Sequence, residues 1–304
     1  SKVIVTYKDD YFYNYGAAVV GTVSGASISF GTRTYFYSNT TNAPRSAYDT
    51  TSGKVVVLFN SSGDKAILGQ VSGTNISFET AVTNSLATGT YSRLSFIPEQ
   101  GCFLAAGSSA KAGVITVSGS TLGFGTAVSF TGSANSGVDV VTIAGTSKSM
   151  IVYEDVGNSS TLTGRVGTVS GTSVTLGSAT VLDSNAAGNT ALSAVYDEQA
   201  QAVMVVYTDY VNSAWGTYTV TASVSGDTIT ANSPNTLNAT EEYRMIFPVY
   251  DAASSKVVVT FFSVPDGRKG KAQVVTNAAN PTNLTAENYI GIASNGYATG
   301  QAAT

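Results

Sequence analysis

One tripeptide keeps returning along this chain and restricts what it can fold into. Val23-Ser24-Gly25, Val71-Ser72-Gly73, Val117-Ser118-Gly119, Val169-Ser170-Gly171 and Val224-Ser225-Gly226 set their glycines 48, 46, 52 and 55 residues apart. Val275-Thr276-Asn277 stands as a sixth, degenerate copy, because Asn tolerates the left-handed turn conformation that Gly adopts freely. A period of roughly 40 to 50 residues rich in β-formers belongs to propeller blades rather than to helical solenoids. The expected fold is therefore all-β, a six-bladed β-propeller of four-stranded antiparallel blades. It runs through 1–304 as one domain, with blades at roughly 1–52, 53–100, 101–147, 148–200, 201–254 and 255–304.

Composition agrees. Charged residues make up only 11% of the 304 and glycines number 31, and the many Ser, Thr, Asn and Val favour strands and tight turns over helices. Hydrophobic residues reach 43%, enough to bury a large core without staples.

Each copy divides into four segments in fixed order. The first is short and closes in a turn, as in Ala47-Tyr48-Asp49, Ala194-Val195-Tyr196-Asp197 and Val249-Tyr250-Asp251. A continuous apolar run follows, as in Val55-Val56-Val57-Leu58-Phe59, Val203-Met204-Val205-Val206-Tyr207 and Val257-Val258-Val259-Thr260-Phe261, which reads as a strand buried on both faces. The third segment ends in the Val-Ser-Gly turn. The fourth alternates, as in Ile76-Ser77-Phe78, the pattern of an outer strand with one wet face. Strands that alternate in direction sort their turns onto two faces. One face holds uniform short turns, and the other holds loops of varied length such as Asp9-Asp10-Tyr11-Phe12-Tyr13-Asn14-Tyr15. Variable loops on a rigid scaffold are where binding usually resides.

The chain opens on a second segment, Val3 to Tyr7. Either Tyr289-Ile290-Gly291-Ile292-Ala293 supplies the strand missing before it and closes the ring, or residues 281–304 begin a further C-terminal module.

Several function classes drop out. The chain has no His, which removes the commonest general base and metal ligand and every His-dependent triad. No helix N-terminus backs a glycine-rich phosphate loop. A net charge of −4 and a pI near 4.8 argue against nucleic acid as a partner. No apolar run of about 18 residues predicts membrane insertion, and no signal segment opens the chain. Cys102 is a single cysteine and reads as a small buried hydrophobe. No cofactor, metal or catalytic residue is expected. Asp155-Val156-Gly157-Asn158 and Asp9-Asp10 read as turn-forming acids, and Glu241-Glu242 and Glu154-Asp155 as solvated ones. The six Asn-x-Ser/Thr sequons follow from composition.

Two groups of residues stand out on the variable face. Tyr11, Tyr13 and Tyr15, with Phe12, crowd one loop, and Tyr210 and Trp215 flank another. Aromatic rings with polar tips suit sugar faces and protein hot spots. Tyr35 and Tyr37 read as packing residues. The second group is Arg45, Arg93 and Arg244, each leading into a first segment in one apparent phase of the repeat. First strands line a propeller's channel, so these three could converge at its variable-face mouth and bind a carboxylate or sulfate, as on an acidic sugar; the alternative is three independent solvated arginines.

The phrases Val20-Gly21-Thr22-Val23-Ser24-Gly25-Ala26-Ser27-Ile28-Ser29-Phe30-Gly31 and Val166-Gly167-Thr168-Val169-Ser170-Gly171-Thr172-Ser173-Val174 resemble repeat regions of tailed-phage virion proteins, the tail fibres and related tail components of marine and cyanobacterial phages. Leu284-Thr285-Ala286-Glu287-Asn288-Tyr289-Ile290-Gly291-Ile292 is similar to the junction in such proteins that leads into a further C-terminal module. The resemblance implies a non-enzymatic binding module on the virion tail, or else a secreted one. Its partners would be a host cell-surface glycan or protein and other virion subunits, with a homo-oligomer formed through the parent protein. The alternatives are a structural virion component whose variable face packs against neighbouring subunits, and a glycan-cleaving enzyme.

Overall fold

A computed structural model describes residues 1–25, 27–133, 137–184, 191–211, 214–239, 242–264, 267, 269–275 and 290–291. Six antiparallel sheets follow one another along the chain, one per repeat, and the fold is a six-bladed β-propeller. The first sheet holds β1 (Lys2–Asp9), β2 (Tyr15–Ser24), β3 (Ser27–Phe30) and β4 (Thr34–Thr40). The second holds β5 (Asn42–Asp49), β6 (Lys54–Asn60), β7 (Asp64–Ser72), β8 (Asn75–Phe78) and β9 (Val82–Thr83). The third holds β10 (Arg93–Ile97), β11 (Cys102–Gly107), β12 (Lys111–Ser118), β13 (Thr121–Phe124) and β14 (Val128–Ser129). The fourth is β15 (Val138–Thr142), β16 (Lys148–Asp155), β17 (Thr161–Ser170), β18 (Ser173–Leu176) and β19 (Thr180–Asp183). The fifth is β20 (Leu192–Asp197), β21 (Ala202–Val211), β22 (Ala214–Ser225), β23 (Thr228–Ala231) and β24 (Asn235–Asn238). The sixth is β25 (Tyr243–Asp251), β26 (Lys256–Ser263), β27 (Lys269–Val275) and β28 (Ile290–Gly291). Contacts gather these sheets into two compact units, Ser1–Ala134 with Gly145–Ser149 and Thr168–Thr175, and Asn135–Ala144 with Met150–Gly167 and Leu176–Thr304.

The continuous apolar runs are buried on both faces because their residues alternate between two neighbours. Val55, Val57 and Phe59 of β6 join Ala18, Val20 and Phe36 of the first sheet, while Val56 and Leu58 join Phe103, Ala105 and Ile115 of the third. The fifth sheet repeats the arrangement: Val203, Val205 and Tyr207 pack with Met150 and Val152, and Met204 and Val206 pack with Val257, Val259 and Phe261. Each such side chain contributes about 1.5–3 kcal/mol by leaving water.

The Val-Ser-Gly turns are two-residue hairpins with a glycine in the left-handed region. Gly25, Gly73, Gly119, Gly171 and Gly226 have φ between 56° and 60°, the geometry of a II′-type connection whose twist suits the flanking strands. These turns also fasten neighbouring sheets. The Lys2 and Lys54 ammonium groups donate to the carbonyls of Gly73 and Gly119 in the following sheet.

The fourth strand differs from expectation. It comes in two pieces that pair with opposite halves of the third strand: β8 lies along Gly69–Ser72 and β9 along Lys65–Ala66. A glycine often marks the break. Gly31 and Gly125 still donate their N–H to Val20 and Val114 at 2.9 Å, but a Cβ on either would sit 2.0 and 1.9 Å from the carbonyl oxygens of Thr74 and Thr172. The turn of the next sheet presses on the strand there and only glycine fits.

The register names equivalent residues. Thr6 pairs with Ala18 and Ala18 with Thr34. The same rung is Leu58, Ala66, Val82 in the second sheet and Ala106, Ala112, Val128 in the third. It is Val206, Thr219, Asn235 in the fifth and Thr260, Ala272, Ile290 in the sixth. Ile290–Gly291 thus takes the second outer-strand piece of the sixth sheet. Its backbone pairs with β27. Tyr289, Ile292 and Ala293 lie outside the described residues. Among the described residues β1 pairs with β2 alone, as the missing first segment implied.

Candidate functional site

The β1–β2 hairpin carries the aromatic tip that the sequence singled out. Tyr11 is 98% exposed, Tyr13 73% and Phe12 40%. Phe12 is the hub: its ring stacks on Tyr35 of β4 at 5.1 Å and meets Tyr13 and Tyr15 edge-on at 5.1 and 5.6 Å. Tyr15 lies edge-on to Tyr35 at 5.8 Å. Such pairs hold their geometry through the ring quadrupole. Tyr13 and Asn14 have φ of 54° and 60°, strained for side-chain-bearing residues and held by the tight loop.

Beneath the rings sits Asp9, almost fully buried at the end of β1. Its carboxylate accepts the Phe12 N–H at 3.2 Å, the Tyr35 hydroxyl at 3.1 Å and the Arg33 guanidinium at 2.8 Å. Arg33 lies 4.9 Å over the Tyr35 ring, a cation–π contact on top of the ion pair. Partial burial, then the Asp9 hydrogen bond, pushes the Tyr35 phenol up from its ordinary value. Tyr35, read from sequence as edge packing, belongs to the tip. Tyr37 does pack, its ring 4.9 Å from Phe59. Asp9 and Arg33 were missed as tip residues.

A signal for Asp9 existed. Tyr7-Lys8-Asp9, Tyr153-Glu154-Asp155 and Tyr207-Thr208-Asp209 all stand at or near the end of a second strand. Counting three residues from the shared rung gives Asp9 and Asp209 in the first and fifth sheets but Ser61, Ser109 and Ser263 in the second, third and sixth.

At the second aromatic hairpin, Tyr210 and Trp215 pair across β21 and β22 with ring centroids 5.0 Å apart, and Tyr210 is 46% exposed. The Asp209 carboxylate accepts the Tyr210 N–H at 2.7 Å. Below, Tyr207 stacks on Tyr218 at 5.9 Å and donates to Asp183 at 2.5 Å. Burial, with Asp183 and Asp209 adding to it, drives the Tyr207 phenol far above its ordinary value and raises Tyr218 as well.

The arginine expectation needs correction. Arg45 and Arg93 do share a phase, pairing with Leu58 and Ala106 on the common rung. Arg244 does not: it pairs with Phe262, and Phe247 opposite Thr260 takes the arginine position. β25 and β5 carry the same one-residue bulge, with Met245 at φ 51° and Ala43 at φ 45°; Arg244 lies before it, three residues ahead of Phe247, whereas Arg45 lies after it. Arg244 is therefore the counterpart of Asn42. It is also neutralised locally, its Nε donating to buried Glu242 at 2.5 Å. Arg45 and Arg93 donate to the carbonyls of Pro44 and Ser92.

Of the acids read as solvated, Glu154 and Glu242 are buried, and desolvation raises the Glu154 carboxyl above the ordinary range. Glu241 lies outside the described residues. A cavity of about 450 Å³ between the first two sheets is lined by Lys2, Ile4, Ser46, Ala47, Tyr48, Val55 and Val71, none of them a residue that the sequence proposed.

No protein-family model matches this sequence, and no curated protein matches it. Solved structures do. The periplasmic gluconolactonase PpgL of Pseudomonas aeruginosa is similar with a TM-score of 0.66 at 11% identity, over 93% of this chain and 80% of that one. The protein YjhT is similar with a TM-score of 0.58 at 8% identity, over 87% and 90%. The Aleuria aurantia lectin AAL, solved with Fucα1-6GlcNAc, is similar with a TM-score of 0.53 at 12% identity, over 94% of each chain. What is shared is the fold. Such likeness transfers no site.

Proposed function

We propose that this chain is a non-enzymatic binding module that holds a glycan at the aromatic tip of its first sheet. The observation that carries the reading is the tip itself: Tyr11 and Tyr13 stand almost wholly in water, yet rings, a buried carboxylate and an arginine fix their base. Flat rings with hydroxyl tips stack on the apolar face of a pyranose while polar groups take its hydroxyls. A rigid base lowers the ordering cost of binding. The sugar bound in the lectin's structure makes glycans a reasonable class to try first. The resemblance to phage tail proteins supports a setting on a particle surface, where such a tip meets a host cell.

The test is an array of immobilised neutral and acidic oligosaccharides, fucosylated ones included, probed with wild type and with Tyr11→Ala/Tyr13→Ala. Wild-type binding that the double variant loses by about tenfold or more supports the reading, since each good stacking contact is worth about 1 kcal/mol or more. No binding to any glycan overturns it.

A second reading, hydrolysis of a sugar lactone, is favoured by the likeness to PpgL and by the buried Asp183–Tyr207–Asp209 group. Turnover of gluconolactone by wild type, abolished in Asp209→Asn, would establish it instead.

A further inference from the structure

We infer that the β21–β22 hairpin is a second glycan subsite of the same kind as the first tip, so that one chain engages a repeating or clustered neutral glycan at two points. The inference rests on the glycan reading of the first tip.

The two hairpins share a construction that the repeat does not impose. Asp9 and Asp209 hold the same register position, both are buried, and each accepts the N–H of an aromatic residue of its tip, Phe12 or Tyr210. The corresponding connections in the second and third sheets, 61–63 and 108–110, have serine at the acidic position and contain no ring. Aromatic rings and a buried acid therefore occur together in these two sheets and are absent together from those two.

The second tip has the parts that sugar recognition needs. Tyr210 and Trp215 form an aromatic pair with the phenol on the exposed side. Gly216 stands where the first hairpin has Tyr15, and a Cβ there would lie 2.7 Å from the Tyr218 hydroxyl. Glycine thus leaves room for the Tyr218 phenol on the face of the hairpin opposite the Tyr210–Trp215 pair. The Asp209 carboxylate lies against the Tyr210 backbone, and the chain carries a net charge of −4. An acidic sugar would be repelled and a neutral one accepted.

Two weak tips on one chain bind a polymer through effective concentration, which raises avidity by roughly 10² to 10⁴ without any new contact.

Trp215 is the only tryptophan, so its emission reports on the second tip alone. The probe is the free trisaccharide that gives the strongest wild-type signal on the glycan array, titrated while Trp emission and calorimetric stoichiometry are recorded. The expected result is a saturable emission change and two sites per chain. Tyr210→Ala should lose the emission change and keep one site, whereas Tyr11→Ala/Tyr13→Ala should keep the emission change and lose the other site. On the corresponding immobilised polysaccharide, either variant should bind roughly 10²- to 10⁴-fold more weakly. Tyr210→Phe, which keeps the ring, should titrate like wild type and so separate stacking from a folding defect. One site per chain with unchanged Trp emission overturns the second subsite and leaves the first-tip reading standing. An emission change that persists in Tyr210→Ala also overturns it.

Discussion

The Tyr207 hydroxyl donates to the Asp183 carboxylate at 2.5 Å, joining the fifth sheet to the fourth. By register, Asp183 opposite Leu162 stands where the first sheet has Tyr37 opposite Gly16, and Tyr207 stands where the second has Phe59. One inter-sheet contact is thus apolar in one place and a buried acid–phenol hydrogen bond in another. Tyr207→Phe leaves Asp183 without that donor and is expected to cost about 1–3 kcal/mol. Asp183→Leu/Tyr207→Phe, which copies the apolar version, should lose less than the sum of the single changes. Urea unfolding of the three variants measures the coupling.

Alkaline stability follows from groups held neutral by burial. Burial raises the Cys102 thiol from 9.0 to about 11 and the Tyr153 phenol from 10.0 to about 12. In both, the unfolded chain loses its proton first as pH rises, so the folded state binds more protons and stability falls. The Cys102 contribution is fully present below pH 9.0 and is lost between there and about pH 11. Thermal unfolding measured from pH 8 to 11 should show a steady decline, and Cys102→Ala should flatten its lower part.

Much of this was legible in the sequence because the repeat couples turn chemistry to strand order. A glycine at fixed spacing predicts a hairpin, and the hairpin fixes which segments pair. The apolar runs declared strands buried on both sides, and β6 and β21 are that. The first aromatic tip was legible too, since Tyr11 to Tyr13 fall in the connection between two strands and Tyr15 opens the second. The phase of Arg244 was misread: four residues back from Asp49 stands Arg45, but four back from Asp251 stands Phe247, so Arg244 lies three residues out of phase. Asp9 does the turn duty read from sequence, accepting the Phe12 N–H, but its partners Arg33 and Tyr35 lie 24 and 26 residues away, and only pairing of β2 with β4 brings them together. The split outer strand depends on the pressure of Thr74 and Thr172 on glycines in another sheet, which no local pattern reports.

Two kinds of glycine should separate on substitution by Asn. Gly119 needs only positive φ and has open space around its missing Cβ, and Asn tolerates that region. Gly119→Asn should therefore cost well under about 1 kcal/mol. Gly125 has no such freedom, since any Cβ strikes a backbone carbonyl. Gly125→Asn and Gly125→Ala should both cost about 1–3 kcal/mol or more by overpacking. Equal losses at the two sites in chemical denaturation would refute the distinction.

Arg33 and Asp9 should act on binding through the rings above them. Arg33→Ala removes the ion pair and the cation–π contact and loosens Tyr35 and, through it, Phe12. Arg33 is half-exposed but Asp9 is buried, so the variant leaves a buried carboxylate short of its charged partner and should cost about 1–3 kcal/mol, with array binding falling several-fold. Asp9→Asn still offers one acceptor oxygen but cannot hold the Arg33 guanidinium by charge, so it should resemble Arg33→Ala in binding. Asp9→Leu removes the acceptor of the Phe12 N–H as well, and should lose binding at the first tip completely. If instead both Arg33→Ala and Asp9→Leu bind like wild type, the rings need no support from below, and the rigid base assigned to the tip is wrong.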